Sequence, residues 1–126
     1  MNNGNNNDHV PMLAAKTLVG TEVINKQGEK LGKVEDIMID LGTGRIGYVV
    51  LSFGGVLGMG DKLFAVPWAS LLVDQDNKKL VMEANKELLK NAPGFDKNNW
   101  PQMPNGMWVR DVYRFYNQEP YWENTP

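Results

Sequence analysis

Apolar and polar residues alternate with a period of two over several short stretches between Thr21 and Met82, the spacing of strands with one buried face. Residues 21–25 read as a first strand and Lys26-Gln27-Gly28-Glu29 as its turn. Over residues 32–41, Ile37, Ile39 and Leu41 fall on one face while Asp36 and Asp40 fall on the other. Gly42-Thr43-Gly44 then supplies a tight connection, because glycine accepts positive φ at little cost. Gly28, Gly42 and Gly44 are accordingly read as structural turn residues. Residues 45–53 break the alternation. Ile46, Tyr48 and Val50 make one apolar face and Val49, Leu51 and Phe53 the other, so this strand is predicted to be central or covered on both sides. Residues 62–66 form a fourth strand ended by Pro67-Trp68. Residues 71–73 and 79–82 form a last hairpin about Asp74-Gln75-Asp76-Asn77. Six short strands in about sixty residues would leave costly free edges unless the sheet closes, which predicts an all-β fold, a small closed six-stranded β-barrel.

Beyond Met82 the period changes. Residues 85–90 are good helix formers, and Pro93-Gly94 stops them. Further on, Trp108, Val109, Val112, Tyr113 and Tyr116 recur at the spacing of one helix face, with Arg110, Asp111, Arg114 and Asn117 opposite. Large rings each bury on the order of 150–250 Å² when packed, so this segment needs a surface to cover. Trp100, Trp108, Tyr113, Tyr116, Tyr121 and Trp122 are therefore the candidate interface residues. Val56, Leu57 and Met59, apolar residues in a glycine-rich loop, are the natural receiving surface. That surface lies either on the same barrel or on a second subunit, and contact between subunits is favoured. The expected organisation is a disordered tail over 1–15, a barrel domain over 16–92, and an aromatic extension over 93–126 packed on the barrel or a partner.

Composition narrows the chemistry. With 126 residues, 42% hydrophobic and 22% charged, the chain suits one globular domain. Thirteen basic residues against fifteen acidic ones give a net charge of -2, too balanced for a protein that neutralises phosphates, so nucleic acid is not an expected partner. The absence of cysteine excludes disulfides, thiolate metal sites and cysteine nucleophiles. His9 stands alone in an asparagine-rich tract. Gly42-Thr43-Gly44-Arg45-Ile46-Gly47 matches a dinucleotide fingerprint by letter, but a strand follows where a helix N-terminus is required. In the loop that ends Gly60-Asp61-Lys62, Leu63 stands where a phosphate loop needs Ser or Thr. Asp74-Gln75-Asp76-Asn77 lacks both the glycine and the bidentate glutamate of a calcium loop. Ser52 and Ser70 have no histidine base in the folded part. No catalytic, metal or cofactor-binding residue is expected. The N-terminal residues have no apolar run of a leader, and no stretch approaches the roughly 18 apolar residues of a membrane span. A cytoplasmic protein is the expectation.

Leu18-Val19-Gly20-Thr21-Glu22-Val23, Gly28-Glu29-Lys30-Leu31-Gly32-Lys33-Val34-Glu35-Asp36, Gly47-Tyr48-Val49-Val50 and Ala65-Val66-Pro67-Trp68, in this order and spacing, resemble the PRC-barrel family. The resemblance covers residues 16–91. This barrel is shared by the cytoplasmic domain of the photosynthetic reaction-centre H subunit and the C-terminal domain of an rRNA-processing factor. The tail Pro93-Gly94-Phe95-Asp96-Lys97-Asn98-Asn99-Trp100-Pro101 and the ending Tyr121-Trp122 are similar to single-domain bacterial members with an aromatic extension. The resemblance implies a non-enzymatic assembly module, with no catalytic residues to carry over. The expected partner is protein, and first a second copy in a homodimer or higher oligomer. An RNA- or ribosome-associated accessory, or a small-molecule binder at a barrel mouth, are the alternatives.

Overall fold

A computed structural model describes residues 11–53, 62–102 and 106–123. The strands are β1 (Glu22–Ile24), β2 (Lys30–Ile39), β3 (Ile46–Ser52), β4 (Lys62–Val66), β5 (Leu71–Asp74), β6 (Lys79–Met82) and β7 (Gly94–Asp96). The helices are α1 (Ala15–Leu18), α2 (Lys86–Lys90) and α3 (Gly106–Phe115), with 3-10 turns at Trp68–Ser70 and Tyr121–Glu123. The strands form one sheet in the order β5-β6-β1-β2-β3-β4-β7. All neighbours are antiparallel except β1 and β6, which run parallel, so the sheet is mixed.

This overturns the closed six-stranded barrel. Among the described residues the sheet has seven strands, stays open, and ends in two edges, β5 and β7. Two local causes keep β4 from joining β5. Pro67 offers no backbone N–H, and the 3-10 turn that follows, with Ser70 N–H donating to the Pro67 carbonyl at 3.0 Å, carries the chain off the line of β4. The free side of β4 is then taken by β7, which pairs Leu63 with Phe95 and Phe64 with Gly94. Only glycine fits there, since a Cβ on Gly94 would lie 2.7 Å from the Leu63 carbonyl oxygen. The segment carries one apolar residue and reads in sequence only as a helix stop.

Two apolar clusters lie on opposite sides of β3 and β4. On the inner side, side chains from β1 to β6 meet in one core that includes Val23, Leu31, Val49, Phe53, Phe64 and Leu80, capped by Leu18 of α1 and Leu89 of α2. Strands this far apart in sheet order share a core only if the sheet curls. On the outer side, Tyr48, Val50, Leu63 and Ala65 are covered by Val112 of α3. The two-sided apolar pattern of β3 is thus spent on two different cores.

Within β2 the register slips twice, between Val34 and Asp36 and between Met38 and Ile39. Each slip is a bulge that turns the following side chains. Alternation therefore fails past Met38: Ile39 is 50% exposed and Leu41 is 94% exposed, whereas period two had placed both on the buried face. Gly32 lets β2 cross β3 closely, for a Cβ there would fall 2.3 Å from the Ser52 carbonyl oxygen and 2.6 Å from the Phe53 ring. Asn25, buried in the turn after β1, uses its side-chain oxygen to accept from the N–H groups of Gln27 and Glu29 and donates its amide to Glu29. A buried amide is tolerated because both its oxygen and its nitrogen have partners.

Candidate functional site

The C-terminal extension is held by rings and by two tyrosine hydroxyls. α3 lays its apolar face on β3 and β4, where Trp108 meets Tyr48 edge-on with ring centroids 5.5 Å apart. Phe95 of β7 links Trp108 at 6.3 Å to Trp100 at 5.2 Å. Tyr113 is buried, and its hydroxyl donates to the Gly47 carbonyl of β3 at 2.8 Å. Tyr116 packs against both cores. α3 ends where Asn117 takes φ +57, which lets Gln118 N–H donate back to the Tyr113 carbonyl at 2.9 Å. The chain then turns so that Trp122 stacks edge-on to Tyr113 at 5.3 Å and to Tyr121 at 5.0 Å.

Charge fastens the end of the extension to the β2–β3 hairpin. The Tyr121 hydroxyl donates to the Asp40 carboxylate, and the Arg45 guanidinium lies over the Tyr121 ring at 4.9 Å. Arg110 pairs with Glu123 and reaches over the Trp122 ring. The Tyr121 hydrogen bond, followed by the N–H of Gly42, holds the Asp40 carboxyl below its ordinary pKa. Burial pushes Tyr113 up to about 12; burial and then Asp40 push Tyr121 up to about 12. Burial raises Tyr48 and Tyr116 as well. Among the described residues, the hydroxyls of Tyr48, Tyr116 and Ser70 are buried without a hydrogen-bond partner.

The candidate interface residues are therefore brought together on one side of the sheet, around β3, β4 and β7. Trp100, Trp108, Tyr113, Tyr116, Tyr121 and Trp122 all touch their own chain there. Val56, Leu57 and Met59 lie outside the described residues. The turn glycines sit between strands: Gly28 takes φ +85 and Gly44 φ +77, and Gly42 donates its N–H to Asp40. β3 follows directly on Gly44 and Arg45, so no helix N-terminus stands at the Gly42-Thr43-Gly44 turn.

Among the described residues, three surfaces stay open after the extension has docked. Beside it, a pocket of about 330 Å³ is lined by Met38, Ile39, Val109, Tyr121 and Trp122, with Leu41 and Met107 exposed nearby in the chain. On the far side of the sheet, among the described residues, β5 pairs with β6 alone, and its outward Leu72 is 64% exposed. Leu72 also lines a cleft of about 370 Å³ with Val81, Leu88 and Phe115. A larger groove of about 710 Å³ runs between residues 11–18 and the β5–β6 hairpin, walled by Leu13, Leu18, Val73 and Leu80. Sequence pattern missed the first two surfaces because both depend on where the sheet stops and where β2 bulges. At the strand ends, Glu22 binds Lys79 and Lys30, and its pKa is lowered chiefly by the Lys79 hydrogen bond. Among the described residues no three of Asp, Glu, His and Cys converge as a metal site would require, and no helix is long and apolar enough to cross a membrane.

The family model of the PRC-barrel domain matches residues 11–89. The match takes in α1, β1 to β6 and most of α2, and leaves β7 and α3 outside it. A search of the curated proteins gives no match.

Proposed function

Since this chain belongs to the PRC-barrel domain family, we propose that it is a non-enzymatic, cytoplasmic interaction module whose partner is protein, beginning with a second copy of itself. One observation carries the reading: large apolar side chains stay in water at places where the fold could have hidden them. Leu72 on an edge strand and Leu41 with Met107 beside the docked extension are exposed while the aromatic rings nearby are spent. Exposed apolar residues on a sheet edge or beside an apolar pocket are candidates for contact surfaces. Sedimentation velocity over a wide concentration range tests it. A sedimentation coefficient that climbs with concentration supports self-association, and one monomer species throughout counts against it.

A second reading draws on the groove between residues 11–18 and the β5–β6 hairpin. Its size and its apolar walls of Leu13, Leu18, Val73 and Leu80 suit a small apolar ligand. Native mass spectrometry of the purified protein tests that alternative, since a retained ligand adds mass to the monomer.

A further inference from the structure

The two edges of the sheet differ in how they are protected. β7 is three residues long, preceded by Pro93, started by a glycine and followed by Lys97. Those are the devices by which proteins blunt an edge against pairing. β5, at four residues, is barely longer, and its one charge, Asp74, sits at its end, but it has neither the proline nor the lysine. Its sequence, Leu71-Leu72-Val73-Asp74, is free of proline, glycine and lysine, and it presents exposed Leu72 and Val73. An unblunted apolar edge is a template for another strand.

Resting on the reading above that the chain binds a second copy of itself, we propose that two copies join β5 to β5 antiparallel, with Leu72 opposite Leu72 of the second copy. The register follows from the side chains. Directly opposed residues of an antiparallel pair lie on one face of the sheet. Leu72 and Asp74 pair with Val81 and Lys79 on the outer face, and Leu71 and Val73 pair with Met82 and Leu80 on the inner. Centring the pair on Asp74 would oppose two carboxylates, and centring it on Val73 would set Asp74 against Leu72. Centring it on Leu72 sets Leu71 against Val73 inside and makes a continuous outer row of Val81, Leu72, Leu72 and Val81. The single charge on the edge, Asp74, then stays beside Lys79 of its own β6 and meets no carboxylate of the second copy. Charge and apolar match select the same register.

A four-residue edge with its neighbours is a small interface, below about 1,200 Å² in total, so the dimer is weak and concentration-dependent. Two variants of the full chain test it. Leu72→Lys sets two ammonium groups opposite each other and should weaken self-association at least tenfold by sedimentation. Leu72 is largely in water, so the variant keeps the wild-type melting temperature. Leu72→Cys introduces the sole cysteine of the chain at a position whose Cα separation across the pair suits a disulfide. Mild oxidation should link it into dimers several-fold faster than Met107→Cys, an exposed control on α3. If the wild type associates but Leu72→Lys leaves it unchanged, or Leu72→Cys links no faster than the control, the edge pairing is wrong and the self-association reading stands. A wild type that is monomeric at every concentration overturns both.

Discussion

The inner and outer cores share β3 and β4 yet are built by different means. The inner core is made of aliphatic side chains, Met82 and two phenylalanines, Phe53 and Phe64, with no tyrosine among its fully buried members. The outer one is a small patch of Tyr48, Val50, Leu63, Ala65 and Val112 ringed by partly buried aromatics, and all four tyrosines of the chain lie in it or in the extension that covers it. Inner residues are joined by backbone pairing of their strands, some local and some distant, as Val23 with Leu80. Outer residues reach across long separations, as Tyr113 does to Gly47 and Tyr121 to Asp40. The difference teaches that the sheet is held by burial and backbone pairing, while the extension is held by burial plus hydroxyl tethers that depend on protonation.

The largest expected effects fall on the inner side. Gly32→Val drives a side chain into the Ser52 carbonyl and the Phe53 ring, and Phe53→Ala leaves a cavity; each should cost about 3–5 kcal/mol, read by urea unfolding. Trp108 is only partly buried. Trp108→Ala should therefore cost less, about 2–3 kcal/mol, and should loosen the extension while the far-ultraviolet spectrum of the sheet persists. If Trp108→Ala abolishes the fold altogether, the two cores are one cooperative unit. Asn25→Ala leaves two turn N–H groups without their acceptor and should cost about 1–3 kcal/mol.

Alkali separates the cores without mutation. Tyr113 and Tyr121 are raised to about 12 in the fold, against an ordinary tyrosine near 10. A raised folded pKa gives stability that is whole below pH 10 and is lost as pH climbs through about 12. Tyrosinate absorbance and tryptophan emission should change together in that window, ahead of the sheet's own unfolding. At the acid end the sign reverses. Asp40 is lowered, so its contribution is present above the ordinary carboxylate range and fades as pH falls through its folded value. Tyr121→Phe should flatten that acid limb of the melting-temperature profile.

The smallest change contrasts two left-handed residues, Lys78 in the β5–β6 turn at φ +55 and Asn117 after α3 at φ +57. Lysine pays more for that conformation than asparagine does. Lys78→Gly should raise stability by up to about 1 kcal/mol, and Asn117→Gly by less.

Much of the sheet was legible because strand alternation is local. The six stretches read as strands all overlap observed ones, and the two apolar faces of β3 pointed to a covered strand before any neighbour was known. The face of α3 was legible too, since Trp108, Val112 and Tyr116 repeat at helical spacing whatever they touch. β7 was not, because three residues with one apolar side chain carry no period.

The chain alone determined the type of six strands and of α2 and α3, the turn positions, and that its aromatic C-terminal rings need a surface, since propensity, periodicity and ring size act within a few residues. The tertiary structure decided that the sheet stays open, that β7 takes the side of β4, that bulges turn Ile39 and Leu41 outward, and that the rings dock on their own strands. Those outcomes turn on which distant backbone edge is free and how closely two chains approach, as at Gly94 against Leu63 and Gly32 against Ser52. Contacts of that kind are set by three-dimensional clearance, which a linear pattern of polar and apolar letters does not encode.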